Sequence, residues 1–156
     1  MKLNAKSMGA AAAALLVISG LALAAGAAKG KKKDVIWPAE AIKWAAGPVK
    51  GVSVAALWGD MNKGGPYGAL LKFDAGIMHP LHWHSQTLKI VVISGTFVHQ
   101  PEGGTETKLG PGSYLLQAAA GKHISGCAAG ADCEFFMTSG DKFDMTTADA
   151  APAEKK

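Results

Sequence analysis

"HPLHWHSQTLKIVVISG" occupies residues 79–95. Three histidines fall within its first six positions, and a run rich in β-branched residues follows, closed by Ser94-Gly95. His82 and His84 are separated by one residue. On a strand, residues i and i+2 point to one face, so these two imidazoles can converge while Trp83 turns away. His79 precedes Pro80 and reads as part of the turn leading in. Two imidazoles alone make a weak metal site, and a third must come from elsewhere in the fold.

Outward from this stretch, short apolar segments alternate with turn residues. Val52–Trp58 (VSVAALW) reads as a strand, and so does Tyr67–Phe73 (YGALLKF), which follows the turn signal NKGGP. Residues 81–84 alternate, and residues 88–98 are β-rich with Gly95 interrupting them. Residues 113–117 and 134–139 (EFFMTS) complete the set, with PEGGTE and GPG as turns between. Strands spaced about 8–12 residues apart predict an all-β sandwich or barrel. Residues 38–46 (PAEAIKWAA) read as a short N-terminal helical segment. The chain of 156 residues, with 20 Gly and 7 Pro, suits one turn-rich globular domain.

The formal net charge is +4, from 16 Lys and 12 acidic residues, with no arginine. Much of the excess lies at the ends, at Lys2, Lys6, residues 29–33, Lys155 and Lys156. Residues 34–147 carry 8 Lys against 10 Asp plus Glu, a balance of −2. A slightly acidic body without the bidentate clamp of arginine argues against nucleic acid as a partner. Residues 29–36 read as a Lys-rich linker, and residues 148–156 as a flexible tail.

Residues 1–28 begin with two lysines, continue uncharged from Ser7, and end in small residues. That is the pattern of a signal peptide, with cleavage options within residues 24–28. An uncleaved anchor is the alternative, since about 20 apolar residues can span a bilayer. Cleavage implies a periplasmic or secreted protein with no stable membrane insertion. Cys127 and Cys133 are the two cysteines. In an oxidising compartment they can close a disulfide loop around Gly130; two free thiols are the alternative.

The spacing of the histidines is more specific. Gly76, five residues, His82-x-His84 and later Gly95 resemble the first motif of the cupin superfamily. Gly112, five residues, then Ala118, Ala120 and His123 resemble the second motif, with Ala118 and Ala120 where it usually carries Pro and Gly. The resemblance covers roughly Trp37 to Asp144, within a domain read as residues 37–147. It is closest to small secreted single-domain cupins of uncharacterised function, and it is similar to the cupin domain of zinc-dependent anti-sigma factors. It implies a double-sheet antiparallel jelly-roll barrel. It also implies a site in which His82, His84 and His123 hold one divalent transition metal: Zn, Fe, Mn, Cu or Ni. His79 and His99 are expected at its margin.

The pattern breaks at one place. The first motif normally places a glutamate ligand four or five positions after the second histidine, where this chain has Leu88 and Lys89. The alignment that puts Lys89 there replaces a negative charge by a positive one. At about 5 Å and an effective dielectric of about 20, each pair of unit charges interacts by about 3 kcal/mol. Three arrangements follow. Lys89 turns away and pairs with an acid such as Glu134, or it points inward and holds an anionic ligand, or the metal is absent. Gln86 and Gln117 are the candidates for the missing oxygen donor.

Three functions are compatible with these residues. The first is an exported metal-binding cupin that takes a small anionic ligand at the three-histidine site. The second is a non-haem iron dioxygenase using the same histidines; no catalytic acid or base is identifiable. The third is a non-catalytic interaction module. Pairing through sheet edges would make a homodimer.

Overall fold

Alternation of buried and exposed side chains in the apolar segments builds two antiparallel sheets. The structure, a computed structural model, describes residues 33–148. The expected leader, the first half of the Lys-rich linker and the tail from residue 149 lie outside the described residues.

A single 3-10 turn at Ala39–Ala41 precedes the first strand, β1 (Ala45–Ala46). The helical stretch expected over residues 38–46 is therefore reduced to that turn. It buries no side chain, so nothing beyond local propensity holds a longer helix, and β1 pairs with Val54 and Ser53 instead. There follow β2 (Val52–Trp58), β3 (Tyr67–Phe73), β4 (Met78–Trp83), β5 (Leu88–Ser94) and β6 (Phe97–Pro101). The last five are β7 (Thr107–Leu109), β8 (Tyr114–Gln117), β9 (His123–Cys127), β10 (Cys133–Ser139) and β11 (Thr146–Thr147).

One sheet has the order β1-β2-β3-β10-β5-β8 and the other β11-β4-β9-β6-β7. Six of the nine neighbouring pairs in these orders are not consecutive in sequence, as in a jelly roll. The central strand β10 shows the period-two logic clearly: Cys133, Phe135, Met137 and Ser139 are buried and the residues between them are half-buried. Phe135 meets Phe73 and Phe97 at ring-centroid distances of 4.9 Å each. Full burial of an aromatic side chain such as Phe97 contributes about 1.5–3 kcal/mol.

The Cys133 end of β10 closes the barrel. Cys127 and Cys133 are fully buried and joined by a disulfide. Gly95 makes this closure fit: it has φ +73°, and a Cβ there would lie 2.3 Å from the Asp132 carbonyl oxygen and 2.8 Å from Cys133 Cα. The cavity that carries the histidines opens between the two sheets.

Candidate metal centre

The strand β4 carries its histidines inward by two devices. His82 and His84 are two apart and share a face, as the spacing predicts, and both are buried. His79 is three residues before His82 and would face outward on a regular strand. A register shift between His79 and His82, where β4 pairs with β9, lets both turn inward. His79 is thus buried on the cavity wall, 5.0 Å from Phe73 between ring centroids, and is not part of a peripheral turn. His123 opens β9 directly opposite His82, and His99 on β6 lies with its ring tilted at 5.0 Å from that of His123.

His82, His84 and His123 form one group. Their ring centroids are 4.2 Å (82–123), 5.1 Å (82–84) and 5.4 Å (84–123) apart. One nitrogen from each can be chosen so that all three lie within 4.8 Å of one another. The second nitrogen of each ring has a backbone partner. His82 Nδ1 donates to the Pro80 carbonyl (2.6 Å), His123 Nδ1 to the Gly121 carbonyl (2.7 Å) and His84 Nδ1 to the Asp144 carbonyl (2.5 Å). A carbonyl only accepts, so Nδ1 carries the proton in all three and each Nε2 keeps its lone pair. That is the tautomer a metal-binding imidazole needs, fixed by the partner of its other nitrogen.

Burial lowers the pKa of all five imidazoles below the ordinary histidine value. For His123 it does so to about 4, partly offset by the hydrogen bond to Gly121. The group is therefore uncharged near neutral pH, ready to bind a cation without first losing protons.

Lys89 does not join it. On β5 the buried residues are Leu88, Ile90 and Val92, and Lys89 is exposed between them. A lysine on the inner face would leave water for a dry wall beside a would-be cation, whereas a leucine there gains from burial. The glutamate position of the resemblance is therefore held by Leu88, and the expected role of Lys89 in contacting a ligand is corrected. Nor does Lys89 pair with Glu134, whose carboxylate lies 3.9 Å from Lys72. Gln86 is also set apart: with Lys89 it lines a separate pocket of about 400 Å³. Gln117 does reach the site. It is buried at the end of β8, and its amide contacts both ring nitrogens of His123.

Residues 141–148 cross the site as a strap that nothing in the sequence singled out. β11 pairs with His82 and Trp83, Phe143 sits 5.1 Å from the His84 ring, and the Asp144 carboxylate accepts from Ser85 N (2.8 Å) and Ser85 Oγ. Beneath the strap lies a cavity of about 1080 Å³, reached by His79, His82, His84 and Gln117 and otherwise walled largely by side chains such as Leu71, Ile90, Phe97, Met137 and Phe143.

The family described as "Domain of unknown function (DUF4437)" matches residues 25–146. The chain belongs to this DUF4437 family, and its fold is that of the cupins. No curated protein matches it. Among solved structures, this DUF4437 member is similar to the polyketide cyclase RemF from Streptomyces resistomycificus, with 15% identity and a TM-score of 0.65 over 77% of this chain and 89% of that one. An RmlC-like cupin from Ralstonia eutropha matches with 20% identity and a TM-score of 0.60 over 74% of each chain. The DMSP lyase DddQ from Ruegeria pomeroyi matches with 13% identity and a TM-score of 0.57, over 70% of this chain and 62% of that one. At these identities the likeness concerns the fold. The similarity to anti-sigma factors expected from the sequence is not shown by these comparisons.

Proposed function

We propose that this DUF4437 protein is an exported cupin that holds one divalent transition metal through Nε2 of His82, His84 and His123. On this reading it takes up a small molecule with an anionic oxygen head and an apolar body. The observation that carries the proposal is the tautomer lock: three buried imidazoles spend Nδ1 on backbone carbonyls and leave three lone pairs for one ion.

The ligand class follows from charge and surface. The group of possible metal-binding side chains contains no carboxylate, so a bound divalent ion keeps its full double charge in a largely apolar cavity. That favours an anionic ligand. The aliphatic and aromatic walls favour an apolar body, and the volume is at the upper end for small-molecule sites. The anionic preference expected from Lys89 is thus reassigned to the ion. Export is supported by the leader-like sequence of residues 1–28 and by the Cys127–Cys133 disulfide.

Calorimetric titration with octanoate and 1-octanol tests the ligand class. Octanoate binding the zinc-loaded protein at least tenfold more tightly than octanol, and than it binds the metal-free protein, is expected. Equal binding of both probes, or of neither, contradicts it.

Three histidines without a carboxylate also fit the dioxygenase reading, in which open positions on iron receive substrate and oxygen. Oxygen uptake by iron-loaded protein with thiols or diketones supports that reading, and its absence across such a panel opposes it.

A further inference from the structure

We propose that Gln117 supplies the fourth protein donor to the metal, through its amide oxygen, in place of the carboxylate that Leu88 has displaced. This rests on the three-histidine reading above and adds to it the oxygen donor.

Leu88 on β5 pairs with Gln117 on β8, and both side chains are buried, at 2% and 5% exposure. They are neighbours on the inner face of the six-stranded sheet. A donor lost at Leu88 can thus be replaced from the adjacent strand with no change in the barrel.

Contact makes the second step. The Gln117 amide nitrogen lies 3.1 Å from His123 Nδ1 and closer still to Nε2. The His123 Nδ1 proton is directed to Gly121, and an amide nitrogen this near to both ring nitrogens lies beside the Nε2 lone pair, not along it. Without metal, the amide meets the imidazole off that lone pair's direction and leaves it open. An ion at His123 Nε2, at a bond length of about 2.0–2.1 Å, would stand directly beside this amide N–H. The amide must then leave, or rotate by half a turn and present its oxygen. Rotation is open to it, because the amide oxygen and nitrogen are nearly equal in size and shape. Turning the oxygen toward the cation converts a repulsive N–H contact into a ligand bond. Leaving would strand a buried amide among Leu88 and other apolar side chains, with its polar atoms unpaired.

The donor so assigned is neutral. It completes the coordination without lowering the charge of the ion, in keeping with an anionic ligand for the open positions.

The test compares wild type, Gln117→Leu and Gln117→Glu as Co(II)-loaded proteins. Affinity is read by competition with a chelator, and coordination by the visible ligand-field spectrum. Gln117→Leu is expected to weaken Co(II) binding by about 10–100-fold and to change the spectrum, with the far-ultraviolet circular dichroism unchanged. Gln117→Glu separates a ligand from a positioning group, because a carboxylate cannot donate an N–H to His123 but can bind a cation. It is expected to bind Co(II) at least as tightly as wild type. If Gln117→Leu keeps the affinity and spectrum of wild type, or if Gln117→Glu is as weak as Gln117→Leu, the assignment is wrong while the three-histidine site stands. If wild type itself binds no Co(II), both fall.

Discussion

Leu88 faces Gln117 across the β5–β8 pair inside the barrel, while Lys89 stands exposed on the outer face. The two residues after the histidine pair thus have opposite meanings for the site. Lys89→Glu changes a solvated charge and should leave metal affinity within about twofold of wild type. Leu88→Glu places a carboxylate on the inner face. The metal-free variant should lose about 3–5 kcal/mol of stability, as an uncompensated buried charge does, and added Zn(II) should restore most of it. Chemical unfolding with and without Zn(II) checks both variants. A large affinity change in Lys89→Glu would place the lysine in the site after all.

Ala120 adopts φ +59° in the loop between Gln117 and His123, at the position where the second cupin motif carries glycine. Its N–H donates to the His84 carbonyl at 2.8 Å, which helps hold it there. An L-residue in the left-handed region costs about 1–2 kcal/mol, and glycine returns part of that as extra freedom in the unfolded chain. Ala120→Gly should therefore stabilise the protein by about 0.5–1 kcal/mol in urea unfolding.

The five histidines, four of them buried and His99 half-buried, make the metal-free protein acid-sensitive. Their folded pKa values lie below the ordinary 6.5, that of His123 at about 4. Between these values the unfolded chain binds more protons than the folded one, so stability rises with pH. The contribution is complete above about 6.5 and is lost as pH falls toward 4. Urea unfolding at pH 7.5 and pH 5 should show a lower midpoint at pH 5, and His123→Gln should reduce the difference. Equal midpoints for wild type would mean that the imidazoles are not buried as described.

Asp144 holds the strap to the loop after β4 through Ser85, while its own carbonyl receives the His84 proton. Asp144→Ala keeps that carbonyl but frees the segment that positions it. Zn(II) affinity should fall by about tenfold, the lower end of what second-layer partners of metal-bound histidines contribute. Competition with a chromophoric chelator measures this.

Much of this site was legible in sequence because it depends on short periods. His82 and His84 share a face by strand alternation, and β2 and β3 have the bounds that their apolar runs suggest. The resemblance to the cupin motifs then supplied His123. What failed depends on a single residue of register. Placing the glutamate position at Lys89 and not at Leu88 moves it to the other side of the sheet, and sequence spacing allowed both. His79 was misplaced for the same reason, since the irregular pairing between His79 and His82 is set by packing against β9. Asp144 lies 60 residues from His84 and contributes a backbone carbonyl, which carries no residue-type signature.

Elemental analysis of the purified protein after metal loading and desalting, beside His82→Ala and His123→Ala, tests the central claim most directly. About one transition-metal ion per wild-type chain is expected, and less than about one-tenth of that in each variant, with folding retained by circular dichroism. A wild-type protein without bound metal after loading, or variants that keep the full equivalent, would contradict it.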